Sequence, residues 1–383
     1  MAIEHWLRLS LTEGIGPVLI RRLIEAAGGV EPASLASESL VRSVDGVGSA
    51  KARSIVASMR AARVDEEIAR CQSLGVALIC PDDPQYPTLL KEIPDPPAVL
   101  YVKGAFEPRD LHAIAIVGSR RCSYYGREQA ERFAALLAGV GVTVVSGGAR
   151  GVDSSAHRGA MSHPQGRTIA VLGSGIDVVY PPENAGLFEQ IATRGAVVSE
   201  YPLETSPLKE NFPRRNRIVS GLARGVLVVE ADERSGALIT ARQAADDHNR
   251  TVFAIPGRVD NPLSAGPHKL IRDGAVLTEN IGDILDNLGP LPQGALDIPL
   301  LETAPADGSS LNPEPQTLNP DLTDRQRLIL THLVDPAHVD VLIERTSLAA
   351  HEILQDLTML SLKGVIKRLD GQTFVRSKSA ARL

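Results

Sequence analysis

Four cations surround a single phenylalanine in the segment between residues 209 and 217. The chain as a whole is acidic, with a formal net charge of -6, so this local excess of positive charge is unusual within it. Cations that meet phosphates, beside an aromatic face that stacks on a base, are typical of grooves for single-stranded nucleic acid. A solvated basic loop that caps a helix would have the same composition, so both interpretations stay open here. The residues concerned are Lys209, Phe212, Arg214, Arg215, Asn216 and Arg217.

Three glycine-bearing loops follow predicted strands and could hold an anion. In the first loop, Gly118 lets the backbone approach a phosphate, Ser119 adds a hydroxyl group, and Arg120 supplies a guanidinium fork. Neither a strict GxGxxG nor a GxxxxGK[ST] pattern occurs, so no NAD or ATP site is predicted. Tight turns would also use glycines, but three such loops beside the basic segment favour a phosphate-bearing ligand. The other two loops carry Gly147, Gly148 and Arg150, and Gly173, Ser174 and Gly175.

Asp153 and His157 stand four residues apart in a predicted helix, so they share one face of it. They would suit a hydrolase as a general base and its orienting carboxylate. A capping aspartate and a structural histidine are the simpler interpretation, which we prefer. No G-x-S-x-G elbow occurs, and the other histidines lack the spacing of metal ligands. We therefore predict no catalytic residue, no metal and no cofactor.

The elements that position these loops alternate between strands and helices across residues 67–288. Six short apolar runs are rich in β-branched residues and lack period-two alternation, which is typical of strands buried on both faces. Helical stretches lie between most of them, so we predict an α/β fold with a doubly wound parallel sheet. Such sheets bind ligands beyond the carboxyl ends of their strands, where the loops lie. The predicted strands are Ala113–Val117, Val142–Val145, Thr168–Leu172, Ala196–Val198, Gly225–Val229 and Thr251–Ile255.

Smaller units are predicted on both sides of this sheet. Residues 1–66 are predicted to form a helical domain with two Gly-apolar-Gly turns, at 14–16 and 46–48. These turns either present backbone N–H groups to a phosphate or only allow the helices to pack closely. Frequent prolines indicate a linker at 289–321. Residues 322–383 are predicted to form helices followed by a β-hairpin with an Asp370-Gly371 turn. Helices followed by a hairpin resemble a winged-helix module, which would bind either DNA or a protein.

The composition limits the class of protein. A chain of 383 residues with 43% hydrophobic and 22% charged residues is typical of a soluble protein of two or three domains. The three cysteines form no CxxC pair, which argues against a zinc ribbon or a disulfide framework. The amino-terminal residues lack the features of a signal peptide, and no apolar run approaches the ~20 residues that span a bilayer. We therefore expect a cytoplasmic protein without a membrane partner.

Together these loops resemble the DNA-processing protein A family (DprA, also called Smf). The similarity runs in order across residues 113–285, and the flanking units match the fuller architecture of that family. It implies an extended Rossmann-like domain that binds single-stranded DNA and loads the recombinase RecA onto it during natural transformation. The segments that carry the resemblance are Val117–Arg120, Ser146–Asp153 with His157, Leu172–Asp177 with Tyr180-Pro181, Ser199–Pro202, Phe212–Ile218 and Ser235–Ala241.

The resemblance also implies where the partners bind. The DNA site would comprise the first glycine loop and the basic segment, and the other two loops would be further phosphate-binding candidates. The family acts as a homodimer through its sheet domain, and duplex DNA is a candidate partner of the flanking domains. The DNA-binding residues would be Gly118, Ser119, Arg120, Lys209, Phe212, Arg214, Arg215, Asn216 and Arg217. For the dimer contact we expect His268, Leu270 and Ile271.

An enzyme is the alternative. Nucleotide phosphoribohydrolases related to lysine-decarboxylase-like proteins also combine a Rossmann-like sheet with glycine-rich loops. They require a PGGxGTxxE signature, and the comparable stretch here, Glu230–Ala237, departs from it. A pure protein scaffold is disfavoured by the basic segment. A DNA-binding protein without catalytic activity is therefore the function that the sequence favours.

Overall fold

The computed structural model describes residues 2–288, 323–333, 337–346, 348, 353, 356–357, 360, 365–370 and 373–376. The chain folds into two compact units, one within residues 1–302 and the other within 303–383. The predicted linker at 289–321 lies outside the described residues. The finer boundaries predicted at residues 66 and 321 are not tested by this division and stay predictions.

Six helices occupy the amino-terminal region. Both Gly-apolar-Gly turns lead directly into a helix, because Gly16 and Gly48 are the N-caps of α2 and α5. The first glycine of each turn, Gly14 and Gly46, has a positive φ of about 80°, a conformation that side chains disfavour. The helices are α1 (Ala2–Ser10), α2 (Pro17–Ala27), α3 (Val30–Ser34), α4 (Glu38–Ser43), α5 (Ser49–Ala61) and α6 (Val64–Ser73).

A nine-stranded sheet dominates the described part of the first unit. Its strand order is β1-β2-β6-β5-β4-β3-β7-β8-β9. The six predicted strands are confirmed as β3 to β8 and pair in parallel. The strands are β1 (Ala77–Ile79), β2 (Leu100–Gly104), β3 (Ile114–Val117), β4 (Val144–Ser146), β5 (Thr168–Val171), β6 (Ala196–Ser199), β7 (Gly225–Val228), β8 (Thr251–Ala254) and β9 (Val276–Leu277).

Three outer strands of the sheet, β1, β2 and β9, were not predicted from the sequence. β1 and β2 join the sheet antiparallel, and β9 adds a parallel pair beside β8. The expectation of a wholly parallel sheet was therefore incomplete. β1 and β9 are only three and two residues long, too short for a periodic signal.

Helices cover both faces of the sheet, which confirms the doubly wound α/β class. α11 and α12 pack on one face, and α8 and α9 pack on the other. The amino-terminal helices share a core with the sheet, since Leu7 and Val64 cluster with Tyr101. The helices are α7 (Thr88–Lys91), α8 (Tyr124–Gly139), α9 (Val152–Ser162), α10 (Ala185–Arg194), α11 (Asn211–Gly221), α12 (Gly236–Arg242), α13 (Ala265–Arg272) and α14 (Gly282–Leu285).

The second unit contains two described helices and a small sheet. α15 (Asp324–His332) begins with a capping box between Thr323 and Gln326. α16 (Val339–Thr346) follows, and the strands are β10 (Ala337–His338), β11 (Ile366–Asp370) and β12 (Thr373–Arg376), in the order β10-β12-β11. The predicted third helix and the Asp370-Gly371 turn lie largely outside the described residues. Within the described ranges, no helix combines the length and the apolar character needed to cross a bilayer.

Candidate nucleic-acid interface

The three glycine loops and the basic segment meet at the carboxyl ends of neighbouring strands. The loops follow β3, β4 and β5, which are adjacent in the sheet. The basic segment differs from the prediction, because residues 211–217 form the first two turns of α11 rather than a loop. Pro213 is compatible with this start, since the first turn of a helix needs no hydrogen bond from a proline nitrogen. The interface is therefore built from three short loops and one helix end.

The half-buried Phe212 ring lies at the centre of this arrangement. The guanidinium carbon of Arg120 is 4.8 Å from its centroid, which brings the first loop over the ring. A Cβ atom on Gly173 would lie only 2.9 Å from Phe212 Cδ1, so a glycine is required where the third loop passes the ring. On its remaining side, the ring centroid of Tyr180 lies 5.6 Å away. These four residues form what we call the Phe212 pocket.

Sequence reasoning did not include Tyr180 among the site residues. The residue occurred only within a matched motif, and nothing in its neighbourhood indicated a partner ring. The structure places it 5.6 Å from Phe212, where the two rings are tilted by 51°. Tyr180 thus adds a second aromatic surface to the pocket.

Three exposed cations surround the pocket without a counter-ion. Arg120, Lys209 and Arg214 form no salt bridge with any residue that the structure describes. Lys209 lies two residues before the start of α11, and Arg214 lies on its first turn. Unpaired cations at a half-buried aromatic ring are the chemistry that a nucleic-acid backbone and base require.

The other two arginines of the segment are buried. Arg215 is 3% exposed and Arg217 is 6% exposed. Arg217 forms a fork with Glu200, with Nη2 2.7 Å from Oε2, and its Nε lies 2.9 Å from Asp95 Oδ2. Both guanidinium groups have partners inside the protein, so contact between either one and DNA stays a prediction. The partly buried Asn216 donates from Nδ2 to the carbonyl oxygen of Gly236 at 3.3 Å.

The Arg215 guanidinium lies between the end of β5 and Gly147 of the second loop. Its Nη1 donates to the carbonyl oxygen of Val171, at the end of β5. A Cβ atom on Gly147 would lie 2.6 Å from Asp153 Oδ2 and closer still to Arg215 Nη1. Burial raises the pKa of Asp153 and lowers the pKa of Arg215 to about 10, and each charge opposes the shift of the other. Asp153 also accepts a hydrogen bond from the Ala149 nitrogen at 3.3 Å, which fixes the loop.

His157 is fully buried and takes the structural role that we preferred. Its Nδ1 lies 2.7 Å from Thr168 Oγ1, whose hydroxyl donates to the carbonyl oxygen of Val144. The ring nitrogen must therefore donate to Thr168. Burial lowers the pKa of His157 to about 3, with the charge of Arg215 adding to the shift. A neutral ring without access to solvent cannot exchange protons with a substrate in this conformation.

The remaining loop residues form hydrogen bonds and close contacts within the protein. The Ser119 nitrogen donates to the carbonyl oxygen of Glu230, and the Ser174 hydroxyl donates to that of Val178. The Gly175 nitrogen donates to the carbonyl oxygen of Thr205 at 2.8 Å. Close packing explains two further glycines, since a Cβ on Gly118 would meet Val152 and one on Gly148 would meet Phe188. These contacts give the loops their shape, and since Ser119 and Ser174 are buried, contact between their hydroxyl groups and a ligand stays a prediction.

Arg150 belongs to the second loop but already has a counter-ion. Its guanidinium forms a two-point contact with Glu183, in which Nε meets Oε1 and Nη2 lies 3.0 Å from Oε2. A phosphate at Arg150 would have to displace this carboxylate. Among the described residues, no group of three or more His, Cys, Asp or Glu side chains could hold a metal ion.

The residues predicted for the dimer lie away from the Phe212 pocket, on α13 beside the edge strand β9. Leu270 is half-buried against the sheet core, and Ile271 is also half-buried. His268 Nε2 lies 3.0 Å from the carbonyl oxygen of Gly257. Leu277 on β9 is 45% exposed. This edge combines apolar side chains with an open strand, and its role as a dimer contact stays a prediction.

Two family models match the chain. The model of DNA recombination-mediator protein A matches residues 77–289, and the model of the DprA winged helix domain matches residues 312–372. The second match confirms the winged-helix interpretation of the carboxyl-terminal unit. The first spans the sheet and all three glycine loops.

Two curated relatives and one solved structure are also similar to this chain. Protein Smf from Synechocystis is 35% identical over 97% of this chain and 98% of its own length. Protein Smf from Escherichia coli is 40% identical over 79% of this chain and 78% of its own length. The X-ray structure of DNA processing protein A from Streptococcus pneumoniae has a TM-score of 0.66 and 34% identity. It covers 74% of this chain and 97% of its own.

Proposed function

We propose that this chain, which belongs to the DNA recombination-mediator protein A (DprA/Smf) family, binds single-stranded DNA at the Phe212 pocket. The observation that carries the proposal is the half-buried Phe212 ring between Arg120 and Tyr180. A base stacks on this ring, while the unpaired charges of Arg120, Lys209 and Arg214 meet the backbone. Base–aromatic stacking contributes about 1–3 kcal/mol per base and tolerates any sequence.

The pocket selects single strands because of where the ring lies. Phe212 is half-buried behind Arg120, so only a base that has left its own stack can reach it. A duplex offers phosphates to the exposed cations but no free base. Binding should therefore be weaker for duplex DNA and show little sequence dependence. If each of the three exposed cations meets one phosphate, each contributes about -0.7 to the salt slope.

We further propose that the protein passes its bound strand to a RecA-type recombinase during transformation, acting as a homodimer. The description of the matching family as a recombination mediator supports this step. Because the Phe212 pocket holds few nucleotides at a time, the rest of a long strand stays accessible to a second protein. The duplex-binding role of the flanking domains and the cytoplasmic location stay predictions.

A binding comparison tests the proposed function. Fluorescence anisotropy at matched salt should give tighter binding of a single strand than of the same sequence as a duplex, and Phe212→Ala should remove most of the difference. Equal or tighter duplex binding would contradict the proposal. The enzymatic alternative is tested by release of bases from nucleoside monophosphates. We expect none, because Asp153 and His157 are buried beneath the second loop. Detectable release that Asp153→Asn abolishes would favour the phosphoribohydrolase.

A further inference from the structure

A groove separate from the Phe212 pocket is lined in part by the first turn of α11. It has a cavity volume of about 780 Å³, which falls within the range of about 300–1,000 Å³ typical of small-molecule pockets. One wall is the turn before α2, including Ile15 and Gly16. The opposite wall consists of Tyr201, after β6, and Pro213 and Arg214 of α11. The groove is therefore large enough for a nucleotide and lies between the amino-terminal helices and the sheet.

The groove begins at the residue that follows Phe212 along α11. Phe212 packs against Gly173 on one side of α11, while the next two residues, Pro213 and Arg214, line the groove. A strand with one base on Phe212 can thus pass over the first turn of α11 and enter the groove without leaving the protein surface.

One cation of the groove is open to contact with a phosphate. Two carboxylates line it, those of Asp95 and Glu200, and both contact the buried Arg217, whose single positive charge offsets one of their two negative charges. Arg214 is exposed and forms no salt bridge with a described residue. Arg214 is therefore the cation of the groove that a phosphate can reach. Ile15, Pro17 and Tyr201 add apolar surface of the kind against which sugars and bases pack.

We propose that this groove holds the nucleotides next to the one on Phe212, so that the turn before α2 forms part of the single-strand site. The inference rests on the proposed function and extends it. The occupant is the same DNA strand, and Arg214 is the phosphate contact shared by the pocket and the groove. A short strand fills the Phe212 pocket alone, and a longer strand also fills the groove.

Two matched glycine substitutions test the groove. Gly16 has φ -115° and ψ 178°, and Gly48 has φ -77° and ψ 165°, conformations open to any residue. An added Cβ meets nothing within 4 Å at either site. Aspartate is also a favourable N-cap, so Gly16→Asp and Gly48→Asp should both fold normally. Of the two residues, only Gly16 lines the groove, and only Gly16→Asp places a negative charge there.

Full-length protein is titrated with oligothymidines of about 4 and about 16 nucleotides, the range of site sizes known for single-strand grooves. We expect Gly16→Asp to lower the affinity for the longer strand roughly fivefold, because the added carboxylate repels the phosphates. The affinity for the shorter strand should change little. Gly48→Asp should bind both strands like the parent. Equal effects of Gly16→Asp on both lengths, no effect on either, or an equal effect of Gly48→Asp would overturn the proposal.

Comparison with Phe212→Ala distinguishes an error in the groove proposal from an error in the proposed binding site at the Phe212 pocket. If Phe212→Ala weakens both strands and Gly16→Asp weakens neither, the Phe212 pocket stands and the groove proposal falls. A parent protein that binds neither strand would end the proposed function and this extension together.

Discussion

The guanidinium carbon of Arg120 lies 4.8 Å from the centroid of the Phe212 ring. In the free protein the cation covers part of the surface that a base would use. A cation–π contact at an exposed site contributes only about 0.5–1 kcal/mol, so an incoming base can displace it. In the proposed complex, the displaced guanidinium would be free to contact a phosphate. The contact keeps the ring and the cation together before DNA arrives.

Substitution of Phe212 tests the stacking role. Phe212→Ala should cost roughly 1–3 kcal/mol of DNA affinity and barely change the salt slope, because no phosphate contact is lost. Phe212→Tyr should retain most of the binding, since the ring face remains. DNA titrations over a range of salt concentrations, with melting curves for each variant, measure both effects. A destabilised Phe212→Ala, or a stable variant that binds normally, would show that the ring only anchors α11.

Arg214 and Arg215, neighbours on α11, should behave differently when neutralised. Arg214→Gln removes an exposed charge, so it should flatten the salt slope by about 0.7 for one phosphate contact and leave stability unchanged. Arg215→Gln removes the hydrogen bond to Val171 and the positive charge that favours the ionised form of the buried Asp153, so it should cost about 1–3 kcal/mol of stability. Its salt slope should change little if the buried guanidinium keeps its hydrogen bond to the carbonyl oxygen of Val171 when DNA binds.

Chemical unfolding and salt titrations of both variants distinguish these roles. The double variant Arg215→Gln with Asp153→Asn should recover part of the lost stability, since no unpaired charge remains buried. A flattened slope in a fully stable Arg215→Gln would instead place its guanidinium on a phosphate, as the basic composition of the segment first indicated.

The sequence predicted the sheet and the loops well because their signals are local. The run Ile114–Val117 is apolar and β-branched, and Gly118 marks its end, so both the strand and the loop could be read without partners. The helical start at Asn211 could not be predicted, because its first turn is polar and has no apolar period. The burial of Arg217 depends on Asp95, which lies 122 residues away in the chain. Pairings at that distance decide which cations of a basic segment remain available to a ligand.

The open edge beside β9 predicts a homodimer. Ile271→Glu should shift the sedimenting species to monomer, because a two-fold interface places each added charge in the contact twice. Leu35→Glu is the matched control, since Leu35 is 68% exposed on the amino-terminal helices, away from this edge. Melting curves check that Ile271→Glu remains folded. A dimer that survives in a folded Ile271→Glu would place the interface elsewhere.

His157 makes the stability of the first unit depend on pH. Its pKa is about 3 in the folded protein and near 6.5 in the unfolded chain, because burial disfavours the charged ring. The unfolded chain therefore binds more protons between these values, and the folded state loses stability as pH falls from 6.5 towards 3. At 1.36 kcal/mol per pKa unit, the full shift corresponds to roughly 4–5 kcal/mol.

His157→Asn isolates this contribution to the pH dependence. The asparagine amide can still donate to Thr168 but does not titrate, so the variant should lose less stability than the parent when urea unfolding is compared at pH 7 and at about pH 4. His248, whose pKa burial also lowers, acts in the same direction, and Asp153, whose pKa burial raises, acts in the opposite one. Both groups are present in parent and variant, so the difference between the two pH profiles reports on His157. Equal losses of stability in parent and variant would contradict the prediction. They would mean that the His157 ring binds its proton equally well in the folded and unfolded states.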